Sequence, residues 1–332
     1  LFSILTTVSN VYTKYITNLV IISISLLLIN NLVNYFVFKY YDDNDILLET
    51  KRSKLLRLDS LNKSPDYIFI GSSRTQNHID THLLSNSGIN SYNLGLPGMA
   101  WRDHDILIQK ATQYANKAIV ISVPAKALFM NIGCPLFPLI ERVFMDTYKE
   151  CNVFSAVTPN IRNLFESTNK VNSESLDAQK KTILEHYDVE LDYLGNKINY
   201  IRGSKDRYVV FYHNGDSVVF SNRALNDPDK KAHVYNYLGK KFNDDAIKYM
   251  QYIEDKIIKS GKKVIFVIEP SSYKYTYLVD VSLLNKYIKS YTIDNTGILQ
   301  DYRYWSDRGH LNYLGRREYT LLIRDQLLNN SK

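Results

Sequence analysis

Two short stretches, far apart in the chain, hold the residue types of a nucleophilic acyl-transfer site. The first is Gly71-Ser72-Ser73-Arg74, which follows directly on the apolar run Tyr67-Ile68-Phe69-Ile70. The second is Ser306-Asp307-Arg308-Gly309-His310-Leu311-Asn312, with Gly315 close behind. A serine hydroxyl is a weak nucleophile until a histidine takes its proton, and the histidine needs a carboxylate to orient it. The two stretches together supply the three side chains of such a site, a serine from Ser72-Ser73 with His310 and Asp307. Such a site also needs N–H groups aimed at the developing oxyanion. Ser73 stands where a strand ends and a helix should begin, so its own N–H points outward at the positive end of the helix. Gly98, in Asn93-Leu94-Gly95-Leu96-Pro97-Gly98, has no side chain to keep its N–H from the same oxygen.

Other residues are candidates for substrate contact. Arg74 is placed to clamp an anionic group, Glu269 stands at a strand end, and Trp101 follows the second glycine-containing stretch. The tract Tyr273, Tyr275 and Tyr277 reads as a strand or loop face that offers rings for stacking on sugars. His78 and His82 have helical i, i+4 spacing, but no third histidine lies near them, so no metal site is expected. No cofactor motif is present. The two cysteines, Cys134 and Cys151, are not in a metal-binding spacing; a disulfide and two free thiols both fit them.

These residues need a scaffold that brings them to one edge. Short apolar strands are expected at Tyr67–Ile70, Ser91–Leu94, Ala118–Val123 and Val264–Ile268, with Ile298–Leu299 as a fifth. Helices are expected over Asn77–Asn86, Arg102–Asn116, Asp244–Ser260 and Tyr313–Leu328. Strands alternating with helices imply an α/β fold with a central parallel sheet, and ligands bind beyond the carboxyl ends of such strands. Ser73, Gly95, Gly98 and Glu269 all fall at those ends. Residues 130–243 interrupt the rhythm and read as an inserted cap region. It carries a hairpin, Arg207–Tyr212 and Ser217–Phe220, around Asn214-Gly215, a strong turn signal.

Gly71-Ser72-Ser73, Asn93 to Gly98 and Asp307 to Asn312 resemble blocks one, two and five of the SGNH/GDSL hydrolase superfamily. The Gly-Ser-Ser form resembles its membrane-anchored branch, with the D-alanyl transfer protein of teichoic-acid synthesis and the alginate acetylation proteins. The resemblance spans about residues 64–328 without the insertion. It implies a flavodoxin-like three-layer fold, Ser73, His310 and Asp307 as the catalytic residues, and Ser73 and Gly98 as oxyanion donors. The third block normally supplies an asparagine to the oxyanion hole. Here β-strand three runs into Ser122-Val123-Pro124-Ala125-Lys126, without one. Loss of one such donor lowers rates by about 10²–10³.

Residues 16–38 carry no charge and are mostly Ile, Leu, Val and Phe. About 23 residues at ~1.5 Å each match the ~30 Å hydrocarbon core, so a single N-terminal transmembrane helix is expected. It follows a tail, 1–15, and precedes a charged juxtamembrane helix or linker, 39–62; the catalytic domain is 63–330. Counting Lys14 against Lys39, Lys51, Arg52, Lys54 and Arg57 puts the domain in the cytoplasm. The family resemblance puts it on the extracytoplasmic side, the placement adopted here. A net charge of +7 and the absence of a dense basic run point away from nucleic acid. The expected activity is that of a membrane-anchored serine esterase or O-acyltransferase on a cell-surface glycan, with a glycan or acylated carrier as partner. Two other roles fit the sequence: accessory partner of a multispanning membrane-bound O-acyltransferase, and inactive envelope scaffold or glycan-binding protein.

Overall fold

The computed structural model describes residues 15–25, 28, 51–96, 104–129, 176–187, 198–204, 207–212, 214, 216–221, 223–227 and 233–329. Residues 15–25 and 28 are helical, with Ile16, Leu19, Ile21 and Ile22 more than half exposed. Among the described residues no helix is long and apolar enough to cross a membrane. Residues 1–14 of the tail, the rest of the 16–38 span, Cys134 and Cys151 lie outside the described residues.

The elements follow in chain order: α1 (Lys51–Asp59), β1 (Tyr67–Ile70), α2 (Ser73–His78), α3 (Thr81–Asn86), β2 (Ser91–Asn93), α4 (His104–Tyr114), β3 (Ala118–Val123) and α5 (Leu176–Tyr187). Then come β4 (Ile198–Ser204), β5 (Arg207–Tyr212), β6 (Ser217–Ser221), β7 (His233–Asn236), α6 (Asp244–Lys259), β8 (Lys263–Ile268), β9 (Tyr275–Leu278), α7 (Val281–Leu284), β10 (Tyr291–Asp294) and α8 (Tyr313–Asn329). Five strands form one sheet in the order β10-β8-β3-β1-β2, and every neighbouring pair is parallel. The chain's progress across the sheet reverses between β1 and β3, which opens a crevice at the carboxyl edge.

Side chains along a strand alternate between faces, so each apolar run feeds two cores. Ile68, Ile119, Ile121 and Phe266 pack with Leu107 and Ala111 of α4 and Met250, Ile253 and Ile257 of α6. Phe69, Val120, Val267 and Ile293 pack on the other face with Leu84 of α3 and Tyr319, Ile323 and Leu327 of α8. The α6 boundaries follow from local chemistry. The Asn243 carbonyl oxygen of the side chain accepts from the Asp245 and Ala246 N–H groups at 3.0 and 3.1 Å, and Asp244 and Asp245 occupy the first turn. Lys256 and Lys259 occupy the last turn, and Gly261 ends the helix at φ +78°.

Two expected elements are placed differently. The helix expected over Asn77–Asn86 is two short helices, and the first begins at Ser73. The break falls where the Asp80 carboxylate accepts from the Leu83 N–H at 2.9 Å, while the Asp80 N–H donates to Thr320 on α8. The fifth strand is β10, not Ile298–Leu299. On this sheet edge Thr292 and Ile293 supply the buried positions, a weak apolar signal. Leu299 instead turns at φ 53°, and its carbonyl accepts from the Trp305 indole N–H at 2.6 Å.

The hairpin of the insertion forms as expected and gains β4 to make a three-stranded antiparallel sheet. It is joined to the main domain by buried charge. Arg316 on α8 lies 3.1 Å from the Asp80 carboxylate and 3.4 Å from the Asp216 carboxylate at the hairpin turn. Asp216 also accepts from the Thr81 N–H and hydroxyl at 2.9 and 2.8 Å. Burial pushes the Asp216 carboxyl above its usual range; Arg316 opposes that shift and Asp80 adds to it. Removing the cation would leave two acids facing each other in the interior. Arg316→Leu is expected to cost about 3–5 kcal/mol, read as a lower midpoint in urea unfolding followed by circular dichroism.

Candidate active site

The site is built on the turn that leaves β1. Gly71 has no room for a side chain, since a Cβ there would stand 1.8 Å from the Thr75 hydroxyl oxygen and 2.9 Å from Ser122. Ser72 caps α2, its hydroxyl accepting from the Arg74 N–H at 3.2 Å. Ser73 is the first helical residue, and its Oγ lies 3.0 Å from His310 Nε2. The two serines are thus divided by role, Ser72 facing the backbone and Ser73 facing the histidine.

His310 Nδ1 lies 3.0 and 3.1 Å from the two Asp307 carboxylate oxygens. A carboxylate only accepts, so Nδ1 carries the proton and Nε2 is left as the acceptor for the Ser73 hydroxyl. Asp307 Oδ1 also accepts from the Gly309 and His310 N–H groups at 2.7 and 2.9 Å, which closes the loop into a tight turn. Burial works against its charge. The hydrogen bond and charge of His310, the Gly309 N–H and the nearby Arg207 outweigh it and hold the carboxyl well below the ordinary carboxylate range. Arg207 Nε, from the first residue of β5, lies 3.4 Å from Asp307 Oδ2.

Residues beside Ser73 hold the histidine loop. Arg74 Nε donates to the Gly309 carbonyl at 3.1 Å and Nη2 to the Pro270 carbonyl at 2.5 Å; Nη1 lies 3.2 Å from Glu269. The expected anion clamp is therefore engaged in joining three chain segments. Glu269 is buried with this guanidinium; burial raises its carboxyl, while Arg74 and His310 pull it down. Four residues further along α2, His78 is buried, and its Nε2 accepts from the Leu311 N–H at 3.1 Å. Burial, with Arg74, His310 and Arg316 nearby, keeps this imidazole neutral to well below its ordinary range. His78 is a structural acceptor, and among the described residues no His, Cys, Asp and Glu cluster could hold a metal ion.

The second glycine stretch packs against α2. A Cβ on Gly95 would lie 2.3 Å from the Gln76 backbone nitrogen, so only glycine fits. The Asn93 amide donates towards the Thr75, Gln76 and Ile79 carbonyls at 3.1–3.3 Å and accepts from the Gly95 N–H at 2.9 Å. From α1, the buried Lys54 ammonium donates to the Asn93 and Gly95 carbonyls at 3.1 and 2.7 Å. Gly98 and Trp101 lie outside the described residues. Sequence reasoning missed the roles of His78, Lys54 and Arg207. His78 was legible only as one of a pair with His82; nothing near Lys54 or Arg207 in sequence marks them.

No protein-family model, curated protein or solved structure matches the chain.

Two substitutions test this geometry. His78→Phe keeps the ring and removes the acceptor, leaving the Leu311 N–H unpaired at a cost of about 1–3 kcal/mol, measured by chemical denaturation. Asp307→Asn keeps an acceptor for the Gly309 and His310 N–H groups but offers an amide to Nδ1. Because the folded Asp307 carboxyl titrates below its unfolded value, it stabilises the fold above the ordinary carboxylate range. That contribution is lost as pH falls. The melting temperatures of wild type and Asp307→Asn are therefore expected to differ by a constant amount from neutral pH down to the ordinary carboxylate range, and to converge only as pH falls below it.

Proposed function

We propose that this chain is a membrane-anchored serine esterase or O-acyltransferase of the SGNH type, with a flavodoxin-like three-layer catalytic domain. Its substrate would be an acyl ester on a cell-surface glycan or acylated carrier, met on the extracytoplasmic side of the membrane. The observation that carries the reading is the unbroken chain from Ser73 Oγ through His310 to Asp307, at 3.0 Å for each link.

In this reading the Ser73 oxygen attacks the ester carbonyl while His310 Nε2 takes its proton. The resulting imidazolium is stabilised by the ionised Asp307. The proton then passes to the departing alkoxide, and an acyl-Ser73 ester remains. Water resolves that ester in hydrolysis, and a sugar hydroxyl resolves it in transfer; in both cases His310 accepts the incoming proton. The oxyanion would be met by the Ser73 N–H at the start of α2 and by the Gly98 N–H. The exposed apolar residues of the N-terminal helix support the membrane anchor.

Fluorophosphonate labelling of the full chain in detergent tests this reading. Labelling is expected in the wild type and in Ser72→Ala, and is expected to vanish in Ser73→Ala and His310→Ala. A folded wild-type chain that does not label would leave an inactive envelope scaffold as the better account.

A further inference from the structure

The two oxygens of Asp307 are held by different parts of the chain. Oδ1 accepts from the Gly309 and His310 N–H groups at 2.7 and 2.9 Å, so the loop's own backbone fixes it. Oδ2 lies 3.1 Å from His310 Nδ1 and 3.4 Å from Arg207 Nε. Arg207 does not belong to that loop. It opens β5, the central strand of the inserted sheet, opposite Ser204 of β4 and Ser221 of β6. The carboxylate that orients the imidazole is thus gripped from two sides, by its loop and by the insertion.

The inserted sheet is fixed firmly enough to aim this guanidinium. The Ser217 hydroxyl donates to the Asn77 side-chain oxygen, on the same helix as Ser73. Phe220 stacks on Tyr313 of α8 at 5.5 Å, and Arg57 of α1 donates to the Tyr212 carbonyl at 3.4 Å. With the Arg316–Asp216 pair at the turn, these contacts hold the hairpin along its length. Five rises of about 3.3 Å along β5 carry the chain about 17 Å from Tyr212 to Arg207, at the far end of the strand.

The other cations near the imidazole face carboxylates of their own. On α2, Arg74 faces Glu269, which follows β8. Arg308 of the histidine loop and Lys274 both face Asp227. His78, also on α2, lies 6.4 Å from His310 between ring centres and is neutral. Burial and the bond to Asp227 raise the Tyr273 phenol, so it brings no charge to Asp307. Arg207 brings its charge to Asp307 itself. A cation there opposes a positive charge on the adjoining ring.

We infer that Arg207 is a positioning residue of this site, through which the inserted sheet fixes the second oxygen of Asp307 and weakens the hold of Asp307 on a protonated His310. The inference deepens the acyl-transfer reading and rests on it for the reaction served; the electrostatic link itself does not. With the cation in place the imidazole gives up its proton more readily and stays available as a base when the surroundings turn acid. A sheet outside the parallel-strand core thereby sets the acidity at which the site works.

The test follows the rate of fluorophosphonate labelling of the full chain in detergent from about pH 5 to about pH 8. Labelling falls on the acid side as the imidazole takes up a proton. Arg207→Met removes the charge and is expected to move that acid limb up by about half a pH unit, and Arg207→Glu by about one. Arg207→Lys is expected to leave it at the wild-type position. A merely structural role would lower the rate at every pH and leave the limb in place, and that result overturns the inference. Asn77, Tyr313 and Arg316 hold the hairpin without residue 207, so all three variants are expected to fold, as circular dichroism checks. Diethyl pyrocarbonate modification of His310, mapped by mass spectrometry over the same range, reads the imidazole without turnover. A modification midpoint that moves up in Arg207→Met and Arg207→Glu, in a chain that does not label, sinks the acyl-transfer reading and keeps the link. A labelling chain whose limb and midpoint stay put in both variants does the reverse.

Discussion

A serine hydroxyl and an imidazole 237 residues apart in sequence are held within one hydrogen bond of each other. The short helix α2 meets that constraint from both sides. Ser73 faces His310, Arg74 binds the carbonyl of Gly309, and His78 binds the N–H of Leu311. The two residues that flank His310 are thus anchored by residues of the same short helix that carries Ser73. The arrangement works only with a neutral His78, because a protonated ring would turn a donor towards the Leu311 N–H. The apolar surroundings, with Trp305 and Tyr319 edge-on to the ring, and three nearby cationic or ring partners supply that neutrality. Packing beneath the sheet edge therefore fixes the position of His310.

The insertion enters the same electrostatic system. Its hairpin brings Asp216 to Arg316 and Asp80 at one end and Arg207 to Asp307 at the other. A buried carboxylate is costly without compensation, and compensation here comes from a different layer of the protein. Another carboxylate, Asp227, takes the Tyr273 hydroxyl at 2.9 Å and lies 3.3 Å from Arg308 on the histidine loop. The loop is consequently tied to the β-rich part of the chain as well as to α2.

Much of this arrangement was legible from residue order. The apolar runs of β1, β3 and β8 are continuous because both faces are buried, and the hairpin announces itself through Asn214-Gly215. Ser73, Asp307 and His310 stand out because their chemistry depends on local spacing and on strand ends. The break between α2 and α3 was hidden, since Asp80 owes its capping geometry partly to Thr320 on a distant helix. Strand β10 was hidden because an edge strand buries one threonine and one isoleucine, less apolar signal than the Ile298–Leu299 turn beside it. Arg207, Arg316 and Lys54 carry charges that sequence reading assigns to solvent. The partners of Arg207 and Arg316 lie a hundred or more residues away and those of Lys54 about forty, so only the assembled fold reveals them.

Lys54 sets where an excised form of the α/β domain has to start. Its ammonium binds the carbonyls of Asn93 and Gly95, the Tyr92 hydroxyl donates to its own carbonyl, and Leu58 of the same helix belongs to the core. A truncation after residue 62, which charge and composition alone would recommend as the end of a linker, would strip two carbonyls of their cation and uncover part of the sheet. The tract entering the glycine stretch that closes on α2 would lose its outer support. Preparations trimmed at that point would misreport the site as slack, and the stretch before the sheet is better regarded as the first structural element of the α/β domain than as its tether.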